Sequence, residues 1–193
     1  YMRPLSDGDL TEFQIADLSS TNKLFFHESE RLLMVGGYGH QHETPPKGGE
    51  WLGCPVQADS RFQTYDTMKV VELAGVIAWV KGDASELSSH IRFFDAPVDS
   101  PDLFRITGGT MLLVEDEYWL CLGHSYDGGY IPGCACPTPA QQIYTKSIRR
   151  FAFDPDDPAS VPVFLGETNE QPDWARRRDL NELPVRYSEQ DRG

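Results

Sequence analysis

Three histidines of this chain have types and spacing from which a metal site could be built. His40 and His42 are separated by one residue, so on an extended chain their imidazoles point to the same side, which suits chelation. His124 lies at the matching place of a second, similar segment. Loop histidines beside glycine also cap turns or donate to carbonyls, and that structural interpretation stays open. The sequence therefore makes His40, His42 and His124 candidate metal ligands and a metal ion the candidate cofactor.

Aromatic side chains occur in the same two segments, at Tyr38, Trp51, Tyr126 and Tyr130. Rings interspersed with polar groups are typical of surfaces that bind a ligand. The same rings could instead pack on each other and cover the fold. Together with the three histidines they are our candidate binding residues for a protein or carbohydrate ligand.

A run of arginines near the C-terminal end is a further candidate binding element, with Arg177 at its centre. It could bind an anion, or it could form salt bridges with the acidic surface of a neighbouring unit of the fold. The formal net charge of −13 makes nucleic acid an unfavourable partner, because binding to phosphates depends on lysine and arginine. No apolar run approaches the ~20 residues of a membrane-spanning helix.

The four cysteines divide by position. Cys121 lies in a predicted strand, where a plain buried thiol is expected. The others, Cys54, Cys134 and Cys136, lie in two long glycine- and proline-rich inserts. A disulfide from Cys54 to Cys134 or to Cys136 would join those inserts and would indicate an oxidising compartment, secreted or periplasmic. The sequence does not decide between the two pairings.

Catalytic motifs are absent from the sequence: it contains no G-x-S-x-G, no phosphate-binding loop and no H-E-x-x-H. A binding module is therefore favoured over an enzyme. The alternative is a metal-dependent or sugar-acting enzyme that uses the histidine face.

An internal repeat must position these side chains. Moving residues 22–36 along by 87 positions places them on residues 109–123 without a gap, and each copy contains two apolar runs around an acidic turn. Such runs predict a β-hairpin. A third strand follows each long insert, at residues 67–73 and 147–153, aligned by a shift of 80. A fourth is predicted at residues 76–80 and 161–165, so each copy would be a four-stranded propeller blade.

The four-stranded unit resembles the kelch repeat, which has a glycine doublet after its second strand and an aromatic residue late in the unit. Gly36-Gly37 is the doublet and Trp79 the late aromatic, whereas the second copy has Gly123-His124 and no matching tryptophan. Residues 18–22, 35–39 and 176–181 are also similar to a family of secreted bacterial kelch-like proteins. The resemblance implies an all-β fold of kelch-propeller type.

The expected organisation is a single propeller segment. Residues 18–87 form the first blade and residues 104–168 the second, while residues 1–17 and 174–193 belong to neighbouring blades. Within those end segments, residues 13–18 and 183–187 are predicted strands. Because a blade needs a neighbour on each side, the remaining blades are expected from the same chain or from a partner chain.

Overall fold

The computed structural model describes residues 1–40, 62–128, 141–169 and 171–179. The first repeat unit forms a four-stranded antiparallel sheet in chain order, with a two-stranded hairpin inserted between its second and third strands. The sheet strands are β1 (Leu24–Glu28), β2 (Arg31–Val35), β5 (Thr67–Glu72) and β6 (Ile91–Asp95). The inserted strands are β3 (Tyr38–His40) and β4 (Phe62–Thr64).

The second unit has the same plan. Its four-stranded sheet follows chain order and carries its own inserted hairpin in the same place. The sheet strands are β7 (Thr110–Val114), β8 (Glu117–Cys121), β11 (Ile148–Ala152) and β12 (Val163–Glu167). The inserted strands are β9 (His124–Asp127) and β10 (Gln141–Tyr144). The predicted all-β class, the third strands and the fourth strand of the second unit are therefore confirmed.

Two predicted strands are helices, and those predictions are wrong. Helix α1 (Glu12–Leu18) replaces the strand expected at residues 13–18, and helix α2 (Leu73–Lys81) replaces the one expected at residues 76–80. The fourth strand of the first sheet is β6, which lies beyond the boundary expected at residue 87. Short 3-10 turns occur at Leu5–Asp7, Ser88–His90 and Asp173–Ala175.

Helix α1 begins at a capping box. The Thr11 hydroxyl accepts from the Gln14 backbone N–H, and the Gln14 side chain accepts from the Thr11 backbone N–H. These two bonds satisfy amide groups that the first helical turn leaves unpaired. The spacing Thr-x-x-Gln is visible in the sequence, so this helix start was predictable from it.

Helix α2 ends at Gly82, whose φ of 87° closes the last turn in the left-handed conformation. Inside the helix, Gly75 lies against the His90 ring, and a Cβ at Gly75 would come within 2.2 Å of the His90 Nδ1. Glycine at position 75 therefore lets the helix approach the turn that precedes β6.

The exact offset between the two units is 86 for the first hairpin, not 87. Ser29 and Glu115 each begin the two-residue turn of their hairpin with positive φ (115 − 29 = 86), and Gly36 and Leu122 each follow the second strand with positive φ (122 − 36 = 86). The offset of 80 for the third strand is correct, since Val70 pairs with Leu33 as Arg150 pairs with Trp119.

The one-residue correction decides which faces meet, because neighbouring strand residues point to opposite faces of a sheet. We call face A of each sheet the side that carries Leu33 in the first unit and its equivalent Trp119 in the second. Face B is the opposite side, with Met34 in the first unit and Leu120 in the second. Face A of the first sheet packs against face B of the second. The two sheets therefore pack through faces that are not equivalent.

The main core lies between these two faces. Leu24, Leu33, Val35, Met68 and Val70 come from face A of the first sheet, and Met111, Tyr118, Leu120 and Phe151 from face B of the second. The segment that joins the units adds Leu103, Phe104 and Ile106, none of which is exposed. The burial of this apolar surface is the main force that joins the two units.

A second core covers face B of the first sheet. Trp79 of α2 is 1% exposed and packs with Leu87, Val71 and Ile91. Leu18 at the end of α1 lies beside them. Helices therefore occupy the place where a preceding blade was expected from residues 1–17. In the described part of the chain the sheets do not close into a ring, and neither helix is long and apolar enough to cross a bilayer.

Candidate functional site

A cavity of about 250 Å³ opens where the two units meet, and we call it the His124 cavity. Its walls come from Asn22 and Tyr38 of the first unit and from Thr107, His124 and Tyr126 of the second. Arg178 and Asp179, which follow the second sheet, complete the lining. Three predicted binding residues, Tyr38, His124 and Tyr126, are thus brought together.

Tyr38 and His124 occupy the same place in the two repeat units. They are equivalent residues (124 − 38 = 86), and each forms an antiparallel bridge to the threonine that precedes the first strand of its unit. The bridge from Tyr38 to Thr21 has two backbone bonds of 2.8 Å, and the bridge from His124 to Thr107 has bonds of 2.8 and 3.1 Å. These bridges fix where β3 and β9 leave their sheets.

The two inserted hairpins lie side by side along β4 and β9. The Thr64 hydroxyl donates to the Tyr126 carbonyl at 3.1 Å and accepts from the Tyr126 backbone N–H at 2.7 Å. Gly128 N–H donates to the Phe62 carbonyl at 2.9 Å, and the Tyr38 hydroxyl donates to the Gly128 carbonyl at 2.5 Å. The two inserted hairpins therefore lie at the same end of the fold.

A row of aromatic rings runs across the two hairpins. The His40 ring meets the Phe62 ring edge-on at 5.0 Å, and Tyr38 stacks on Phe62 at 5.8 Å. Tyr126 meets Tyr38 at 5.4 Å and His124 at 6.4 Å, both edge-on. Three rings, those of Phe62, Tyr38 and Tyr126, therefore lie between the imidazoles of His40 and His124.

His124, like Thr107, is buried in the wall of this cavity. Its exposed fraction is 5%, and its Nδ1 atom is buried without a hydrogen-bond partner in the described residues. Burial lowers the pKa of His124, the positive charge of Arg178 lowers it further, and Asp179 opposes the change. A buried polar atom without a partner costs about 1–3 kcal/mol, and among the described residues this cost falls on a residue of the cavity wall.

The lowered pKa of His124 gives a pH prediction. The unfolded chain binds a proton at higher pH than the folded chain does, so stability falls as pH drops through the ordinary value of 6.5. We expect the free energy of unfolding in urea to decrease between pH 7.5 and pH 5.0, and His124→Gln to reduce that decrease. His27→Gln, at an exposed position of β1, is the matched control and should keep the full decrease. An unchanged decrease in His124→Gln would contradict this assignment.

In the arginine run, Arg178 lines the His124 cavity, whereas the predicted binding residue Arg177 is not part of the lining. The Arg177 side chain is exposed, and its backbone carbonyl accepts from Gly123 N–H at 2.9 Å. The neighbouring charges pair locally: Arg178 lies 3.5 Å from Asp179, and Arg176 lies over the Tyr144 ring at 5.3 Å. Anion binding by this run and salt bridges to a neighbouring unit both stay predictions.

Six predicted residues lie outside the described part of the chain: His42, Trp51, Cys54, Tyr130, Cys134 and Cys136. The three-histidine metal site and the disulfide therefore stay predictions. Among the residues that are described, no three His, Cys, Asp or Glu side chains are placed to hold a metal ion. Cys121 is buried, as expected.

A second cavity, of about 470 Å³, lies on the opposite side of β9. Alternation along the strand sends Ser125 and Asp127 to this side while His124 and Tyr126 face the first cavity. Its charges are largely paired, with Arg105 donating to both carboxylate oxygens of Asp127 at 2.9 and 2.7 Å. The His124 cavity, with its unpaired buried nitrogen, is the better candidate site.

Sequence reasoning missed four residues of the His124 cavity: Asn22, Thr107, Arg178 and Asp179. Asn22 and Asp179 both have positive φ, as does Gly108 beside Thr107. Asn, Asp and Gly are the residues that adopt this conformation most readily. A search for these three residue types just before each predicted first strand would have found Asn22, Asp179 and the Gly108 that follows Thr107.

A scan of the chain against protein-family models gave no match, and a search of curated proteins gave no significant match either.

Proposed function

We propose that this chain is a binding module of β-propeller type that holds a carbohydrate ligand in the His124 cavity. The observation that carries the proposal is the buried, unpaired Nδ1 of His124 in the wall of a cavity lined by Tyr38 and Tyr126. Aromatic rings offer flat apolar faces, and the imidazole offers a hydrogen bond that the described protein groups leave unused.

The balance of charge in the cavity favours a neutral polar ligand. Arg178 and Asp179 neutralise one another at 3.5 Å, so neither a strong anion nor a strong cation is selected. The volume of about 250 Å³ is below the ~300–1,000 Å³ typical of drug-sized ligands. One sugar ring fits this description, with the remainder of a glycan lying outside over the aromatic row.

The propeller part of the proposal is supported by the relation between the two sheets. Each is a four-stranded antiparallel sheet in chain order, and face A of the first packs on face B of the second. Successive blades of a propeller are related in this way, and the cavity lies where the first strands of the units begin. We also propose that the chain is related to the kelch repeats and that the protein is secreted or periplasmic. The first is based on the glycine doublet and Trp79, and the second on the cysteines of the two inserts.

The binding proposal is tested with an array of neutral and charged glycans. We expect the wild-type chain to retain a subset of neutral glycans and Tyr126→Ala to weaken that binding about tenfold. Tenfold is about 1.4 kcal/mol, the contribution of roughly 60 Å² of apolar area that the tyrosine ring and a sugar face remove from water. Phe25→Ala is the matched control, because Phe25 is 66% exposed on β1 and is not part of the cavity lining.

Three outcomes would contradict the proposal. The wild-type chain could retain no glycan, both variants could weaken binding equally, or binding could depend only on ligand charge. The competing proposal is a protein ligand. In that case no glycan on the array would be retained, and Tyr126→Ala would weaken binding to the partner protein instead.

A further inference from the structure

The second cavity, on the side of β9 that Ser125 and Asp127 face, is large enough to hold a ligand of its own. Its volume of about 470 Å³ lies within the ~300–1,000 Å³ that is typical of ligand sites. Every residue that lines it has a polar side chain except Ile143, which is 54% exposed. None of these residues lines the His124 cavity. The lining therefore suits a polar ligand at a separate site.

One wall of this cavity is the inserted hairpin of the second unit. In the pairing of β9 with β10, Ser125 lies opposite Ile143 and Asp127 lies opposite Gln141, and residues directly opposite one another share a face. The Ser125 hydroxyl and the Gln141 side-chain amide make no hydrogen bond within the part of the chain that the structure describes. Both groups are therefore available to a ligand.

The other wall is the edge of the second sheet, where Arg149 of β11 lies opposite Glu167 of β12. The Arg149 Nε atom lies 3.4 Å from a Glu167 carboxylate oxygen, and the Ser147 hydroxyl donates to the same oxygen at 3.3 Å. Arg149 also donates through Nη1 to the Asp102 carbonyl at 2.6 Å. Its Nη2 atom has no hydrogen-bond partner among the described residues. The guanidinium is thus held in place with one donor group unused.

A second ion pair, between Arg105 and Asp127, faces the same cavity. Both hydrogen bonds to the Asp127 carboxylate come from the Arg105 Nη2 atom, so the Nε and Nη1 donors have no partner in the described residues. A carboxylate oxygen accepts more than one hydrogen bond. Each ion pair therefore presents unused donors beside unused acceptors. Partly exposed ion pairs contribute little to stability, so stability does not explain why two of them line one cavity.

The charges of the cavity disfavour an ionic ligand. Two guanidinium groups are set against three carboxylates, those of Asp102, Asp127 and Glu167 (2 − 3 = −1). A phosphate or sulfate would be repelled by the carboxylates, and an ammonium group would be repelled by the arginines. A hydroxyl group both donates and accepts a hydrogen bond. Two adjacent hydroxyls therefore match a paired guanidinium and carboxylate.

We propose that this cavity is a second binding site, which takes a neutral ligand with adjacent hydroxyl groups, either a sugar ring or an open-chain sugar alcohol. The hydroxyls of the ligand bond to the two ion pairs and to Ser125 and Gln141, and Ile143 contacts its C–H groups. The inference goes beyond the proposed function, because the two cavities share no lining residue.

The test is a titration followed by NMR of the arginine Nε–H groups of the chain at pH 7, with the signals assigned by Arg105→Lys and Arg149→Lys. The probes are a panel of methyl hexosides, mannitol, sodium sulfate and glycine. We expect both arginine signals to shift saturably with a neutral probe: response to a hexoside indicates a ring, and response to mannitol alone an open chain. No saturable shift with any neutral probe would overturn the proposal. A larger shift with sulfate or glycine would also overturn it, since that assigns the cavity to an ion.

A substitution within the site gives an independent measurement. Asp127→Asn keeps the shape of the side chain and removes its charge, so we expect it to weaken binding of the best neutral probe about tenfold, the loss of one charge-assisted hydrogen bond. Asp99→Asn, at an exposed position outside both cavities, is the matched control and should bind as the parent does. Gln141→Ala, on exposed β10, replaces Asp127→Asn if that variant does not melt at the parent temperature, and it should also weaken binding.

Unchanged affinity in the site variant would place the ligand elsewhere and overturn the proposal. Tyr126→Ala on the glycan array measures binding in the His124 cavity, whereas the arginine signals measure binding in this one. Failure of either site is therefore distinguishable from failure of the other.

Discussion

Replacing Lys69 with methionine is expected to lower the free energy of unfolding by about 3–5 kcal/mol, the cost of leaving a buried charge without its partner. The Lys69 ammonium lies 2.6 Å from Asp17 Oδ1, and neither side chain is exposed. It also donates to the Gly36 carbonyl at 3.0 Å. Burial raises the pKa of Asp17 and lowers that of Lys69, so each depends on the other to stay charged. Urea unfolding of the folded variant at pH 7 measures the loss.

Two controls test this assignment: substitution of the partner residue Asp17, and a change of pH. Adding Asp17→Asn to Lys69→Met removes the uncompensated carboxylate, so the double variant should regain part of the loss. In Lys69→Met alone the pKa of Asp17 stays above its ordinary value of 3.8. Its stability deficit should therefore shrink as the pH is lowered from 7 towards 4, because protonation then favours the folded state. A deficit below about 1 kcal/mol at pH 7 would show that the pair does not anchor α1.

Gly36→Ala is the second substitution with a large expected effect, about 3 kcal/mol. Gly36 has a φ of 61°, and a Cβ there would lie 1.9 Å from the Ile106 carbonyl oxygen and 2.8 Å from that of Phe104. Left-handed strain and overpacking each cost about 1–3 kcal/mol. The obstacle is backbone of the joining segment, so it cannot rotate away as a side chain would. Thermal and urea unfolding measure the change.

The repeat supplies a matched control for Gly36→Ala. Leu122 is the equivalent residue and already has a φ of 58° with a side chain in place. Leu122→Ala should cost about 1 kcal/mol, the loss of a partly buried side chain. If the two substitutions cost the same, the close approach at Gly36 does not hold the units together.

The sequence predicts the repeat, and the structure corrects its offset. Leu24, Phe25 and Phe26 are all apolar, so a slide of one residue matches apolar positions nearly as well as the true offset does. Both faces of each sheet are rich in apolar side chains, so alternation of polar and apolar residues does not decide the register. The turn residues do decide it: Ser29 and Glu115 are the positions where positive φ recurs.

The helices were missed for two different reasons. Helix α1 has a capping box in its sequence, which the strand prediction passed over. Helix α2 contains Val76, Ile77 and Val80, β-branched residues that favour strands locally. Packing of Trp79 and its neighbours onto face B of the first sheet outweighs that preference.

Three of the seven residues that line the His124 cavity were predictable from residue type: Tyr38, His124 and Tyr126. The other four are brought to the cavity by the fold and were not predicted from residue type. Asn22 and Asp179 are 157 positions apart in the chain (179 − 22 = 157) and are brought together at Gly108, whose N–H donates to the Asn22 carbonyl and whose carbonyl accepts from the Asp179 N–H.

The most direct test of the account is the imidazole of His124 in the presence of a glycan selected on the array. Long-range proton–nitrogen NMR of the free chain at pH 7.5 should show a neutral ring, in keeping with its lowered pKa. On saturation with the glycan, the His124 ring nitrogen signals should shift, while those of His27, exposed on β1, stay in place. Glycan binding that leaves the His124 signals unchanged would place the ligand elsewhere and contradict the account.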